Sequence, residues 1–319
     1  MSEELGLGVY DQRFQDAFAA ADYLESIRWP DGPVCPHCGT VDEKHYRLKH
    51  QTRKLWKCRA CRKQFTVTVG TIFEGSHIPL NKWLLAFYLL CSSKKGMSAH
   101  QLHRMLGITY KSAWFMAHRI RYAMEQPAFS RLLSGTVEVD ETYIGGKKRR
   151  SNKKQYKPLD PMEPDWRLKQ TGRNTDTKTP VVSLVERGGE VRSFRVANVT
   201  AETLGGAIRR NVDREAHLRT DSFSSYKVVG REYASHEAVD HSDYYVLGDA
   251  HTNTAENFFS ILKRGINGIY HHVSEAHLER YLAEFDFRFN ARHLTDSERT
   301  RQALSMVEGK RLTYRGATA

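Results

Sequence analysis

Residues 137–146, VEVDETYIGG, are the stretch on which the reading of this chain turns. Val137, Val139, Thr142, Tyr143 and Ile144 favour an extended backbone, and the paired glycines 145 and 146 end the run. A buried strand seldom carries acids, so Glu138, Asp140 and Glu141 imply a cationic counterpart. Side chains alternate along a strand, which places Glu138 and Asp140 on one face and Glu141 on the other. Asp140 is therefore the first candidate site residue, with Glu138 as its neighbour on the same face.

The composition narrows what the counterpart is. The chain has 319 residues, 40% hydrophobic, with a formal charge of +12 and a pI near 9.4. That length supports one sizeable core with smaller modules, and the basic excess favours a polyanionic partner, nucleic acid before an anionic membrane surface. The most apolar run, WLLAFYLLC at 83–91, is half the length of a membrane span. The first residues lack a signal-peptide pattern, so a cytoplasmic, nucleoid-associated protein without membrane partners is expected, its cysteines thiols or metal ligands.

Toward the N-terminus, apolar residues at helical spacing between Phe14 and Ile27 predict a packing helix. Cys35 and Cys38 (CPHC) are then separated by 19 residues from Cys58 and Cys61 (CRAC). Two such knuckles supply the four soft ligands of tetrahedral Zn²⁺, in a spacing suited to a zinc ribbon with a structural role. His37 is the rival ligand nearby, and Cys91 reads as a core thiol. Residues 45–73 contain no acid. Arg53, Lys54, Lys57, Arg59, Arg62 and Lys63 lie there, interleaved with aromatic residues, as candidate DNA contacts. Further on, Ser98 and Thr109 are placed to cap two short helices around Gly107, a helix-turn-helix pattern whose second helix would present Tyr110, Lys111, Ser112, Arg119 and Arg121.

After the acidic strand, residues 147–178 hold 11 Lys or Arg against 4 Asp or Glu and few apolar residues, a basic insertion loop that begins with Lys147, Lys148, Arg149 and Arg150. Two further strands meet at Gly188-Gly189, a helix follows Thr200, and LRTDSFSSYK gives a fourth strand ending in Asp221. If the first and fourth strands are neighbours, Asp140 and Asp221 come together. Residues 230–252 read as irregular, with His236 and His241 near enough in sequence to approach that site. Then TAENFFSILKRGI forms a helix on which Glu256 and Lys263, seven residues apart, share a face about 10 Å apart along the axis. Three separated acids, Asp140, Asp221 and Glu256, suit two Mg²⁺ ions, with Mn²⁺ as a substitute.

The CPHC and CRAC pair, VEVDETYIGG, LRTDSFSSYK, and NTAENFFSILKRG followed by HLERYLAEFDFRFNAR together resemble transposases of the IS1595 family, the ISXO2-like group, over about residues 20–295. The resemblance implies an α/β fold: an RNase H-like DDE domain with a mixed sheet, preceded by a zinc ribbon and a helix-turn-helix. The corresponding division is 1–32 N-terminal helix, 33–70 zinc ribbon, 78–126 helix-turn-helix, 134–295 catalytic domain and 296–319 C-terminal tail. It also implies that Asp140, Asp221 and Glu256 are the catalytic acids and that Lys263, with Arg264 beside it, contacts DNA near the scissile phosphate. For the third acid the resemblance leaves the adjacent Asn257 as the alternative, and Glu256 is preferred because it alone brings a charge and shares the face of Lys263. Activity would consist of binding transposon inverted repeats, hydrolysing the ends and joining the 3′-OH to target DNA, in a homodimer or larger complex. A zinc-ribbon regulator without catalysis, or an RNase H-like nuclease without strand transfer, are the alternatives.

Overall fold

The computed structural model describes residues 10–41, 45–51, 53–126, 131–145, 178–239 and 251–318. Two short helices, α1 (Gln12–Gln15) and α2 (Ala17–Arg28), begin it, with Asp11 and Asp16 as their side-chain N-caps. A three-stranded antiparallel sheet follows, β1 (Tyr46–Leu48), β2 (Leu55–Lys57) and β3 (Gln64–Phe65). Next come α3 (Leu80–Ser92), α4 (Ala99–Leu106) and α5 (Tyr110–Ala123). The expected caps are present: the Gln101 N–H donates to Ser98 Oγ, Gly107 ends α4 at φ 58°, and the Ser112 N–H donates to Thr109 Oγ1.

The second half is built on β4 (Thr136–Ile144), β5 (Thr179–Glu186), β6 (Val191–Arg195), α6 (Ala201–Asn211), β7 (His217–Asp221), α7 (Ser224–Gly230) and β8 (Ser235–Val239), then α8 (Asn253–Gly265) and α9 (Leu278–Asn290). A five-residue π turn, Ile266–Tyr270, extends α8. The sheet order is β6-β5-β4-β7-β8, with β5 antiparallel to both neighbours and β4, β7 and β8 parallel. In order of appearance this is 3-2-1-4-5 with the second strand reversed, the RNase H-like arrangement, so the mixed sheet expected from the sequence is observed. Both faces are covered. Val137, Val139, Val182 and Leu184 pack with α6 and α7, while Ile144, Val181 and Val185 pack with α8 and α9. That double burial explains why the central part of β5 reads as a nearly continuous apolar run.

Two elements differ from the sequence reading. Residues 235–239, SHEAV, form a fifth strand instead of irregular chain, because pairing with β7 alone leaves an edge strand that tolerates Ser235, His236 and Glu237. The closing segment forms α10 (Asp296–Ser305), which has a Thr295–Glu298 capping box, and α11 (Tyr314–Thr318). Ala303, Leu304 and Val307 share one hydrophobic core with α2, α3, the ribbon residues Phe65 and Val67, and Met116 and Ile120 of α5. Residues of the closing segment therefore pack into the N-terminal module.

Candidate active site and metal centres

Parallel pairing of β4 with β7 aligns Val139 with Thr220, so the next residue on each strand is an acid, Asp140 beside Asp221. The neighbour relation on which the sequence reading depended is present. Glu141 joins them: one carboxylate oxygen from each of Asp140, Glu141 and Asp221 lies within 4.8 Å of the other two. Alternation does hold, since Glu141 accepts a 2.6 Å hydrogen bond from Tyr226 Oη on the α7 side. However, the pairing of β4 with β7 ends at Val139 and Thr220, and β7 itself ends at Asp221, so among the described residues no strand pairs with β4 on that side beyond this point. Strict alternation therefore hid Glu141 as a member of the cluster; its adjacency to Asp140 was the available signal.

Electrostatics sets this cluster apart. Burial, then the Glu141 charge, and more weakly Asp221 and Glu256, push the Asp140 carboxyl up to about 7, against a lowering hydrogen bond from the Glu141 N–H. Glu141 is also raised, first by burial and then by Asp221, opposed by the Tyr226 hydroxyl. Phe223 N–H donates to Asp221 Oδ1 at 3.0 Å. Like charges held this close favour a divalent cation, and carboxylate oxygens are the donors that Mg²⁺ or Mn²⁺ takes.

Glu138, two residues earlier, is fully buried and has a different task. Its carboxylate accepts from Arg187 Nε at 2.7 Å, the Thr254 N–H at 2.8 Å, the Ala255 N–H at 3.0 Å and Thr254 Oγ1 at 3.0 Å. Thr252, the N-cap of α8, makes no side-chain cap bond, so Glu138 supplies the cap from β4. It thereby ties the strand of Asp140 to the helix of Glu256.

Glu256, Ser260, Lys263, Arg264 and Asn267 form one stripe of α8 and its extension along a cleft of ≈ 1260 Å³ that also contains Asp140, Glu141 and Asp221. Glu256 and Lys263 share a face as the sequence implied, and Asn257 does not line the cleft. Glu256 is not one of the three closest carboxylates, and Lys263 and Arg264 are exposed. His236 lies away from the acids, within 2.9 Å of Thr220 Oγ1, and His251 meets Glu138 and Arg187. His241, Gly146 and the basic residues Lys147, Lys148, Arg149 and Arg150 lie outside the described residues.

The four cysteines also converge. Cys35 and Cys61 sulfurs are 3.7 Å apart and Cys38 and Cys58 sulfurs 3.6 Å, close to the roughly 3.8 Å edge of a tetrahedron with 2.3 Å Zn–S bonds. The two knuckles repeat one geometry: Gly39 N–H donates to the Cys35 carbonyl and Arg62 N–H to the Cys58 carbonyl, both residues at positive φ. The cluster fits zinc. His37 lies instead against the Gln64 carbonyl, and Cys91 is a buried core thiol.

Of the expected DNA contacts, Arg53, Arg59, Arg62, Lys63, Tyr110 and Lys111 are exposed and Lys57 half-buried. Arg119 and Arg121 are corrections. Arg119 is buried, donates to the Glu74 carbonyl at 2.7 Å and stacks on Trp83 and Phe115, and Arg121 is enclosed with Glu284. Both lie on the last turns of α5, which pack against the molecule, leaving the first turn open. Lys54 is also largely covered and pairs with Asp22.

Two family models match: the ISXO2-like transposase domain over residues 132–290 and the transposase zinc-ribbon domain over residues 15–64. The chain is 30% identical over 275 residues to a protein in transposable element ISH50 of Halobacterium salinarum, covering 84% of this chain and 89% of the relative. It is 33% identical over 101 residues to a transposase-like protein of Haemophilus influenzae, covering 32% of this chain and 81% of that one. The Mos1 strand transfer complex aligns with 15% identity over 69% of this chain and 73% of that one, at a TM-score of 0.27, too low to support an argument. Among the described residues, no helix is long and apolar enough to cross a membrane.

Proposed function

This chain belongs to the IS1595 family of ISXO2-like transposases, and from that premise we propose that it is a DDE-type enzyme that cuts transposon ends and joins them to target DNA. The observation that carries the reading is the cluster of Asp140, Glu141 and Asp221, which forms no ion pair with a cation among the described residues, in a cleft that Lys263 and Arg264 also line. In this reading Asp140, Asp221 and Glu256 would hold the divalent ions, Mg²⁺ or Mn²⁺. When bound, two such ions activate the attacking oxygen and stabilise the leaving one.

The protein's own groups position the reactants. Tyr226 fixes Glu141, Glu138 holds α8 against β4, and Lys263 with Arg264 grips the strand beyond the scissile phosphate. In the first reaction water attacks the phosphorus, the P–O bond to the 3′ oxygen breaks, and a 3′-OH is released. In the second, that hydroxyl loses its proton to solvent and attacks a target phosphate, forming one phosphodiester as another breaks. No side chain becomes covalently attached. The zinc ribbon and the first turn of α5 bind the terminal repeats, and a homodimer or larger assembly brings two ends together.

The test uses purified protein with zinc retained, Mg²⁺, and a duplex carrying the inverted repeat found beside the reading frame. The expected result is cleavage and joining to a plasmid, both reduced at least about a thousandfold by Asp140→Asn, roughly 4 kcal/mol of barrier. DNA binding without cleavage would support a regulator instead, and cutting without joining a nuclease. Retention of cleavage by Glu256→Gln with loss in Asn257→Ala would move the third acid's role to Asn257.

A further inference from the structure

Lys95 is a feature of the cleft that the motifs did not identify. It belongs to the turn between α3 and α4, in the N-terminal module, yet it lines the same cleft as the catalytic-domain acids. The turn is held there by two close approaches. A Cβ on Gly265 of α8 would stand 2.7 Å from the Lys95 carbonyl oxygen, and one on Gly96, at φ +95°, would collide with the Tyr270 hydroxyl. Tyr270 in turn donates to Glu284 at 2.8 Å, and Glu284 is locked to Arg121 of α5 at 2.6 Å. The position of the turn is therefore set from both sides, by α8 and by the helix-turn-helix.

We infer that Lys95 binds a backbone phosphate of the DNA strand engaged in the cleft, so that the end-binding module itself completes the catalytic groove. This rests on the transposase reading. Gly265, against which Lys95 sits, lies nine residues beyond Glu256 on α8, about 13 Å along the axis at 1.5 Å per residue. The side chain is exposed and adds a cation to the cleft that Lys263 and Arg264 also line. A phosphate is the ligand such a point charge takes, and the contact carries no sequence preference.

The experiment measures the dissociation constant of a fluorescein-labelled duplex carrying the flanking inverted repeat, across a series of salt concentrations. Calcium replaces magnesium, since it also takes carboxylate oxygens. Lys95→Ala should weaken binding and lower the slope of log Kd against log salt by about one. Lys95→Arg should restore the slope, and Lys94→Ala, an exposed neighbour that does not line the cleft, should leave it unchanged. An unaltered slope in Lys95→Ala, or an equal change in Lys94→Ala, overturns the inference and leaves the transposase reading intact. Failure of the wild type to bind the duplex would overturn that reading itself. Thermal unfolding of each variant identifies any loss caused by misfolding, and Lys95→Arg then decides the question.

Discussion

Glu284 and Asp140 are both acids drawn into the protein, and their surroundings treat them in opposite ways. Glu284, on α9, is fully buried, yet Arg288 and Arg121 overcome the upward push of burial and hold its carboxyl down at about 2. Arg288 pairs with it, Arg121 Nε reaches it at 2.6 Å and Tyr270 donates at 2.8 Å. Asp140 is raised to about 7 because burial is reinforced by Glu141, Asp221 and Glu256. Glu138, two residues before Asp140, sides with Glu284: buried and supplied with donors by Arg187 and the start of α8. The difference separates two uses of an internal carboxylate. Where the protein supplies the cations, the acid fastens elements together, here α5 to α9 and β4 to α8. Where it supplies further acids, the proposed function has metal ions complete the site from outside.

Breaking the compensated side should give the largest change in stability. Glu284→Gln leaves Arg121 and Arg288 buried without their counter-charge and should cost about 3–5 kcal/mol in chemical denaturation. Little change would mean that the junction between α5 and α9 is held by apolar packing alone.

A smaller effect sharpens the same contrast at that junction. His118 is fully buried, its two ring nitrogens have no hydrogen-bond partner among the described residues, and burial, with Arg121, His277 and Arg280, pushes it down to about 2. The fold therefore favours neutral imidazole. Its contribution is intact above the unfolded value near 6.5 and is lost as pH falls, by about 1.4 kcal/mol per unit. In His118→Phe, unfolding free energy measured from pH 7 to 5 should decline less steeply than in wild type, by about 2 kcal/mol over that interval. Parallel curves would show that His118 gains a partner on protonation.

Much of this was legible in the sequence, for identifiable reasons. Chain-local signals carried through: the Cys-x-x-Cys knuckles, the Ser98 and Thr109 caps, the mixed α/β order and the spacing of Glu256 to Lys263. Tertiary packing decided what was not legible. Arg119 looked like an exposed DNA contact because helical spacing does not say which face a neighbouring element covers, and Glu74, Trp83 and Phe115 cover it. Glu141 was assigned to the far face of β4 by alternation, which does not register that β7 stops at Asp221. The role of Lys95 depends on the approach of one turn to Gly265, a contact between residues far apart in the chain that no local pattern encodes.

If the acid cluster is a divalent-metal site, bound ions relieve its internal repulsion. Thermal unfolding of wild type and Asp140→Asn, with zinc left in place, above pH 7, and with or without Mg²⁺, measures that relief. Without Mg²⁺, Asp140→Asn should be the more stable protein, because ionised Asp140 opposes folding there; saturating Mg²⁺ should raise the wild-type midpoint by several degrees and leave the variant nearly unmoved. Equal shifts in both proteins, or a wild type that is the more stable of the two without Mg²⁺, would contradict the account.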